Sequence, residues 1–161
     1  MRRLIEDRMI TVFDNPTLSQ LGDAASLPQP KRPIAVTTDS FVVSPLFFPG
    51  GDIGKLAVFG TVNDLAVMGA KPVYLTLAMI LEEGLAISTL DEVIQSVADA
   101  AKQLNVPVVA GDTKVVPKGA ADKLFLNTTG IGELAEGARP GPSALEVGDQ
   151  LIVSGPIAKH G

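Results

Sequence analysis

The sequence predicts an α+β domain, a mixed α/β arrangement in which helices pack on a mixed β-sheet. Three observations point there. Four apolar, β-branched runs at 34–38, 73–80, 106–116 and 124–132 have the length and composition of strands. Two segments with helical spacing, at 56–68 and from Leu90 to Leu104, lie between the first three runs. The last two runs are separated only by Pro117-Lys118-Gly119-Ala120-Ala121-Asp122, which reads as a hairpin loop and makes that pair antiparallel.

In chain order, Leu4, Ile5, Met9, Val12 and Phe13 fall on one helical face, and Asn15-Pro16 stops the segment, so the first element is a helix. A stretch with Pro28, Pro30 and Pro33 leads into the strand at 34–38, whose end is expected to deliver Asp39 and Ser40 into a loop. Gly50-Gly51-Asp52-Ile53-Gly54-Lys55 then opens a helix, with Gly69 closing it and Pro72 beyond, as helix ends prefer. Glycines ahead of a helix leave backbone N–H groups available to anions. After the strand at 73–80, Thr89 and Glu92 have the spacing of a capping box. Leu90, Val93, Ile94, Val97, Ala101 and Leu104 give the following helix a continuous apolar stripe. Past the last two strands, residues 136–142 form a polar Gly/Pro linker, and Gly148-Asp149 turns into a strand expected at 150–154 with no later partner. No internal repeat is present.

The 161 residues suffice for one hydrophobic core and not for two. Apolar residues make up 46% and charged residues 19%, with glycine and proline spread along the chain, which excludes disorder as a general description. A net charge of -5 offers no basic face to release counterions from nucleic acid, so no nucleic-acid partner is expected. No apolar run approaches the roughly 20 residues of a membrane span. The acids in Met1-Arg2-Arg3-Leu4-Ile5-Glu6-Asp7 come too early for a secretory signal, so the expected location is cytoplasmic, with no membrane association. The chain has no cysteine and a single histidine, His160, whose default reading is a frayed terminus. Any chemistry must run on carboxylates, lysines, amides and backbone.

Three polar knots sit within apolar runs: Thr37-Thr38-Asp39-Ser40, Gly60-Thr61-Val62-Asn63-Asp64-Leu65-Ala66-Val67 and Val109-Ala110-Gly111-Asp112-Thr113-Lys114. Buried carboxylates are costly unless paired, hydrogen-bonded or bound to metal, so Asp39, Asp64 and Asp112 suggest one shared cation. With Lys55 and Lys114 in these motifs, a magnesium carrying a nucleotide phosphate is the natural choice. Asp64 falls on the helical stripe of Leu56, Gly60 and Val67, placing an acid on a face turned to the core; the alternative is an acid that caps a loop or lies at the core's edge. Gly111-Asp112 reads equally as a bulge facing a ligand or as a simple turn. Gly148-Asp149 reads as a turn. Gly54-Lys55 is not a Walker A site, because Pro49 stands where its first glycine belongs and Leu56 where its Ser or Thr belongs. Lys55 is then either a point charge for phosphate beside a helix N-terminus or a solvated surface lysine.

Taken in order, Thr38-Asp39-Ser40-Phe41, Pro45-Leu46-Phe47-Phe48-Pro49-Gly50-Gly51, Gly54-Lys55-Leu56-Ala57, the Gly60–Val67 run, Ile80-Leu81-Glu82-Glu83-Gly84 and Gly111-Asp112-Thr113-Lys114-Val115-Val116 resemble the HypE family of hydrogenase maturation proteins. The resemblance covers nearly the whole chain. The Asn-Asp helix and the Gly-Asp strand are shared with the wider aminoimidazole-ribotide synthetase-like (PurM-like) superfamily. The Pro45–Gly51 and Gly111–Val116 segments point to HypE in particular.

The resemblance implies a PurM N-terminal-like domain over residues 1–137, a mixed four-stranded sheet packed with helices, whose sheets pair in a homodimer. It also implies that residues 138–161 are a linker and the first strand of a C-terminal domain. The implied activity is that of an ATP-dependent carbamoyl dehydratase, which phosphorylates the amide oxygen of an S-carboxamide on a C-terminal cysteine and eliminates phosphate to leave a thiocyanate. That group becomes a cyanide ligand of [NiFe] hydrogenase. By the family pattern, Asp39, Asp64 and Asp112 hold Mg2+ directly or through water, and ATP contacts fall on Lys55, Asn63, Asp64, Gly111, Asp112, Thr113 and Lys114. The implied partners are a second copy, the carbamoyltransferase HypF and the HypC–HypD complex.

Three departures from the family pattern shape the expectation. No His- and Gly-rich loop precedes the first helix, Ala158-Lys159-His160-Gly161 ends the chain where the family continues, and no cysteine is present to carry the carbamoyl group. The chain is therefore expected to be the ATP-binding and dimerisation half, with no catalytic residue of its own and no turnover alone. The alternatives are a non-catalytic dimerisation or docking module for hydrogenase maturation factors, or another PurM-like ATP-dependent enzyme, such as one of the purine or thiamine pathways.

Overall fold

All four apolar runs become strands in the computed structural model, which describes residues 4–153 and Gly155. The first described element is α1, a π-helical turn Ile5–Ile10 running into α-helical Thr11–Phe13, which ends before Asn15-Pro16 as expected. There follow β1 (Ile34–Phe41), the two-residue strands β2 (Phe47–Phe48) and β3 (Gly51–Asp52), α2 (Ile53–Val67), β4 (Ala70–Glu82), α3 (Ile87–Leu104), β5 (Val108–Val116) and β6 (Leu124–Leu134).

The four long strands form one sheet in the order β1-β6-β4-β5. β4 and β5 run parallel, as the helical crossover α3 between them requires, while β6 is antiparallel to both β4 and β1. The sheet is mixed, but not by the expected hairpin: β5 and β6 do not pair, and β4 stands between them. Its alternate residues Leu75, Leu77, Met79 and Leu81 are all buried, and β4 satisfies its backbone by pairing on both edges. The loop after β5 therefore steps over β4 to reach β6 on its other side.

Three further expectations change for local reasons. β1 extends through Asp39 and Ser40, which pair with Thr128 and Asn127 of β6 instead of entering a loop. The capping box does not form, because the turn closed by Leu85 N–H on the Glu82 carbonyl, with Gly84 at φ +95°, lets α3 start at Ile87 and leaves Thr89 inside the helix. No strand forms at 150–153; Leu151 and Ile152 are exposed there, and Ser154 lies outside the described residues, as does His160.

α2 and α3 cover one face of the sheet. The stripe expected on α3 is the buried one: Leu90, Val93, Ile94, Val97 and Ala101 meet Ile53, Ala57 and Val58 of α2 above Leu75, Leu77, Met79, Leu124 and Leu126. A fully buried leucine such as Leu90 contributes about 1.5–3 kcal/mol over an exposed one. Gly54 lets the helices touch, since a Cβ there would lie 2.9 Å from the Val93 carbonyl oxygen. Among the described residues no helix covers the opposite sheet face, and Ile34, Val36 and Ile80 on it remain 50%, 60% and 40% exposed.

Candidate functional site

The polar knots of β1 and α2 meet along the seam where the helix crosses the strand. Strand alternation turns Thr37, Asp39 and Phe41 toward α2. At one end Gly60 lies over the Phe41 ring, where a Cβ would come within 3.0 Å of Cε1 and Cζ. Next, the Thr61 hydroxyl donates to Asp39 Oδ2 at 3.0 Å and makes a short contact with the Thr128 hydroxyl of β6. Three residues further along α2, Asp64 Oδ2 accepts from the Thr37 hydroxyl at 3.0 Å. Strand and helix thus each contribute one carboxylate and one threonine, with the hydroxyls and carboxylates exchanged between them.

Gly130 of β6 makes the approach possible. A Cβ there would lie 2.7 Å from Thr61 Cγ2, 3.0 Å from Leu65 Cδ1 and 3.3 Å from Thr37 Cγ2. Both threonine methyls rest on this glycine, which leaves their hydroxyls to the aspartates. Thr61 and Thr128 are fully buried, Asp39 is half-buried and Asp64 is exposed. The stripe expected to put Asp64 on a core face is therefore the outward one: α2 buries Ile53, Gly54, Ala57, Val58, Thr61, Val62 and Leu65 instead. Because α2 is apolar on most of its circumference, its periodicity could not tell the two faces apart.

The residues named on β5 are elsewhere. Gly111 pairs with Leu77 in continuous register, and the bulge sits just upstream at Val109, so Gly111-Asp112 is neither turn nor bulge. A Cβ at Gly111 would lie 2.7 Å from the Leu77 carbonyl oxygen. Asp112 and Lys114 point to the uncovered sheet face opposite Ala78 and Ile80, while Thr113 turns inward and donates to Met9 Sδ at 3.6 Å. Gly111, Asp112 and Thr113 line a cavity of about 220 Å3 roofed by Met9, Phe13 and Leu21. Lys55 is exposed in the first turn of α2, where its backbone N–H is capped by Asp52 at 2.9 Å, and Asn63 is exposed beside Asp64.

Asp39 and Asp64 are brought to one seam, and Asp112 is not. β6 and β4 separate its strand from β1, and it faces the other side of the sheet. Among the described residues no three carboxylates or histidines converge within one chain. The two seam carboxylates suit a hard cation nonetheless: each has one oxygen held by a hydroxyl, and no cationic side chain among the described residues pairs with either. Mg2+ commonly takes one or two carboxylates and fills its remaining positions with phosphate and water.

Thr37, Thr61, Thr128 and Gly130 were not singled out as site residues from the sequence. The available signal was the polar stretch Asn127-Thr128-Thr129-Gly130 inside an otherwise apolar strand. Away from the seam, Glu82 accepts from the backbone N–H groups of Gly119 and Lys123, which hold its carboxyl below the ordinary 4.5, with smaller contributions from the Lys118 and Lys123 charges. Glu82 pins the loop between β5 and β6.

Residues 21–134 match the family described as AIR synthase related protein, N-terminal domain. The chain is 46% identical over 166 aligned positions to the carbamoyl dehydratase HypE of Escherichia coli K12, all of the chain aligning with 49% of that protein. A crystal structure of hydrogenase maturation protein HypE in complex with ATP is similar with a TM-score of 0.81 and 55% identity, over 83% of this chain and 40% of that one. HypE in a HypE–HypF complex is similar with a TM-score of 0.65 and 56% identity, over 84% of this chain and 43% of that one. The chain spans about half the length of the curated relatives it matches.

Proposed function

Since the chain belongs to the AIR synthase related family, through the N-terminal domain matched by residues 21–134, we propose that it is the ATP- and magnesium-binding, dimer-forming half of a HypE-type carbamoyl dehydratase. The observation that carries this reading is the seam itself, where Asp39 and Asp64 are each oriented by a threonine hydroxyl and neither has a cationic partner among the described residues. The likeness to an ATP-complexed HypE supports it.

Bound magnesium supplies neutralisation of phosphate charge, the main requirement of phosphoryl transfer to an amide oxygen. Asp39 and Asp64 would hold it, with Asn63 and Lys55 on the same helix placed to meet phosphate. Gly111, Asp112, Thr113 and Lys114 lie on β5, separated by two strands from the seam on β1, with Asp112 and Lys114 on the uncovered face of the sheet. Their part in nucleotide binding requires a second copy to bring its β5 to the seam, which the uncovered sheet face with exposed Ile34, Val36 and Ile80 favours. The carbamoyl-bearing thiol comes from outside these residues, which contain no cysteine. HypF, the HypC–HypD complex and a cytoplasmic location complete the reading, with residues 138–161 leading into a further domain. No described helix is long and apolar enough to cross a membrane.

Thermal unfolding with and without millimolar Mg-ATP tests the reading, because a ligand of the native state raises the midpoint by mass action. A rise that disappears in Asp64→Ala is the expected result. A midpoint unmoved by Mg-ATP would favour the second reading, a dimerisation and docking module, for which the same uncovered apolar sheet face speaks.

A further inference from the structure

Thr61 and Thr128 are 0% and 1% exposed, so neither hydroxyl has water to turn to. A threonine hydroxyl has one proton to donate. The Thr61 proton goes to Asp39 Oδ2, an acceptor-only carboxylate, so the short Thr61–Thr128 contact must be filled by the proton of Thr128. The Ala57 carbonyl oxygen, 3.4 Å from Thr128 Oγ1, is the longer alternative for that proton. The hydroxyls therefore form a one-way chain from Thr128 to Thr61 to Asp39. Gly130 fixes its geometry by seating the Thr61 methyl. Asp39 Oδ2 is held in place, and Oδ1 makes no hydrogen bond among the described residues.

We propose that Thr61, backed by Thr128, is a positioning residue that orients the Asp39 carboxylate toward the cation of a bound metal–nucleotide. This rests on the reading of Asp39 as a ligand of that cation. Groups that hydrogen-bond a metal-binding carboxylate typically govern affinity by 10–100-fold, and here the donor is buried and has no substitute.

The test compares Thr61→Val, Thr61→Ser and Asp39→Asn with the unsubstituted chain, by calorimetric titration with Mg-ATP and, separately, with ATP in a chelator. Valine keeps the methyl on Gly130 and removes only the hydroxyl. The expected result is a loss of about 10-fold or more in Mg-ATP affinity for Thr61→Val, near-complete recovery in Thr61→Ser, and no change in affinity for metal-free ATP. An equal loss for both forms of ATP would mean a merely structural role and would overturn the inference. If Asp39→Asn weakens Mg-ATP binding and Thr61→Val does not, the inference fails while the site reading stands. Mg-ATP binding indifferent to Asp39→Asn, or absent from the unsubstituted chain, overturns both. Thr128→Val, which breaks the chain one step further from Asp39, keeps the test open should Thr61→Val fail to fold.

Discussion

The Thr37 hydroxyl and Asp64 Oδ2 meet at 3.0 Å across the seam of strand and helix, one turn of α2 beyond the pair of Thr61 and Asp39. The two pairs have the same chemistry and different surroundings, since Thr61 is buried and Asp64 is exposed. Removing the donor from an exposed acceptor lets water replace it, whereas a buried group keeps its desolvation cost. Thr37→Val is expected to lower the urea unfolding free energy by less than about 1 kcal/mol, and Thr61→Val by about 1–3 kcal/mol. Equal losses would contradict the assigned difference in burial.

Gly130→Ala introduces a methyl 2.7 Å from Thr61 Cγ2 and 3.0 Å from Leu65 Cδ1, inside a packed helix–sheet contact. Relieving that overlap requires α2 to lift or Thr61 to change rotamer. Overpacking of this kind typically costs about 1–3 kcal/mol, so the midpoint in urea should fall with little change in slope. An unchanged midpoint would show that the helix does not rest on this glycine.

Glu82 gives the loop over 117–123 a pH dependence whose sign follows from its lowered carboxyl. The folded state holds the carboxylate charged below 4.5, where the unfolded chain already takes up a proton. Its stabilising effect is therefore fully present above 4.5 and is lost as pH falls through the lowered folded value. Hydrogen exchange at Gly119 and Lys123 should be faster in Glu82→Gln than in the unsubstituted chain at pH 6, the difference shrinking in acid. A difference that grows in acid would reverse the assigned sign.

The uncovered sheet face places exposed Val36 and Ile80 beside polar Thr38 and Asp112. A charge at an apolar position of a buried interface is costly unless paired, whereas lysine on a solvated sheet face is tolerated. Light scattering at tens of micromolar is expected to find a dimer for the unsubstituted chain and a monomer for a Val36→Lys, Ile80→Lys double variant that keeps its circular dichroism. A dimer that survives both substitutions would place the interface elsewhere.

The elements were legible because the signals for them are local. The stripe from Leu90 to Leu104 faces the core, the stop at Asn15-Pro16 ends α1, and Gly148-Asp149 forms its turn, with the Asp149 N–H donating to the Glu146 carbonyl and Gly148 at φ +110°. Misreadings arose where two arrangements share one local pattern. The Pro117–Asp122 loop has the composition of a hairpin connection whether it joins neighbouring strands or crosses one. α2 is apolar on so much of its surface that the Leu56–Gly60–Val67 stripe suggests a core face for Asp64, whereas the alternative, an acid outside the core, is the one the structure shows.

By itself the sequence determined the four long strands and the three helices, that they build one core, and that the chain carries the family's acidic motifs. These properties depend on periodicity, turn chemistry and composition within a dozen residues. Only the tertiary structure decided that β4 stands between β5 and β6, that Asp39 and Asp64 share a seam, and that Asp112 looks away from it. Strand order and facing follow from burying the whole sheet at once, and a residue's alternation along its own strand does not specify which strand lies beside it.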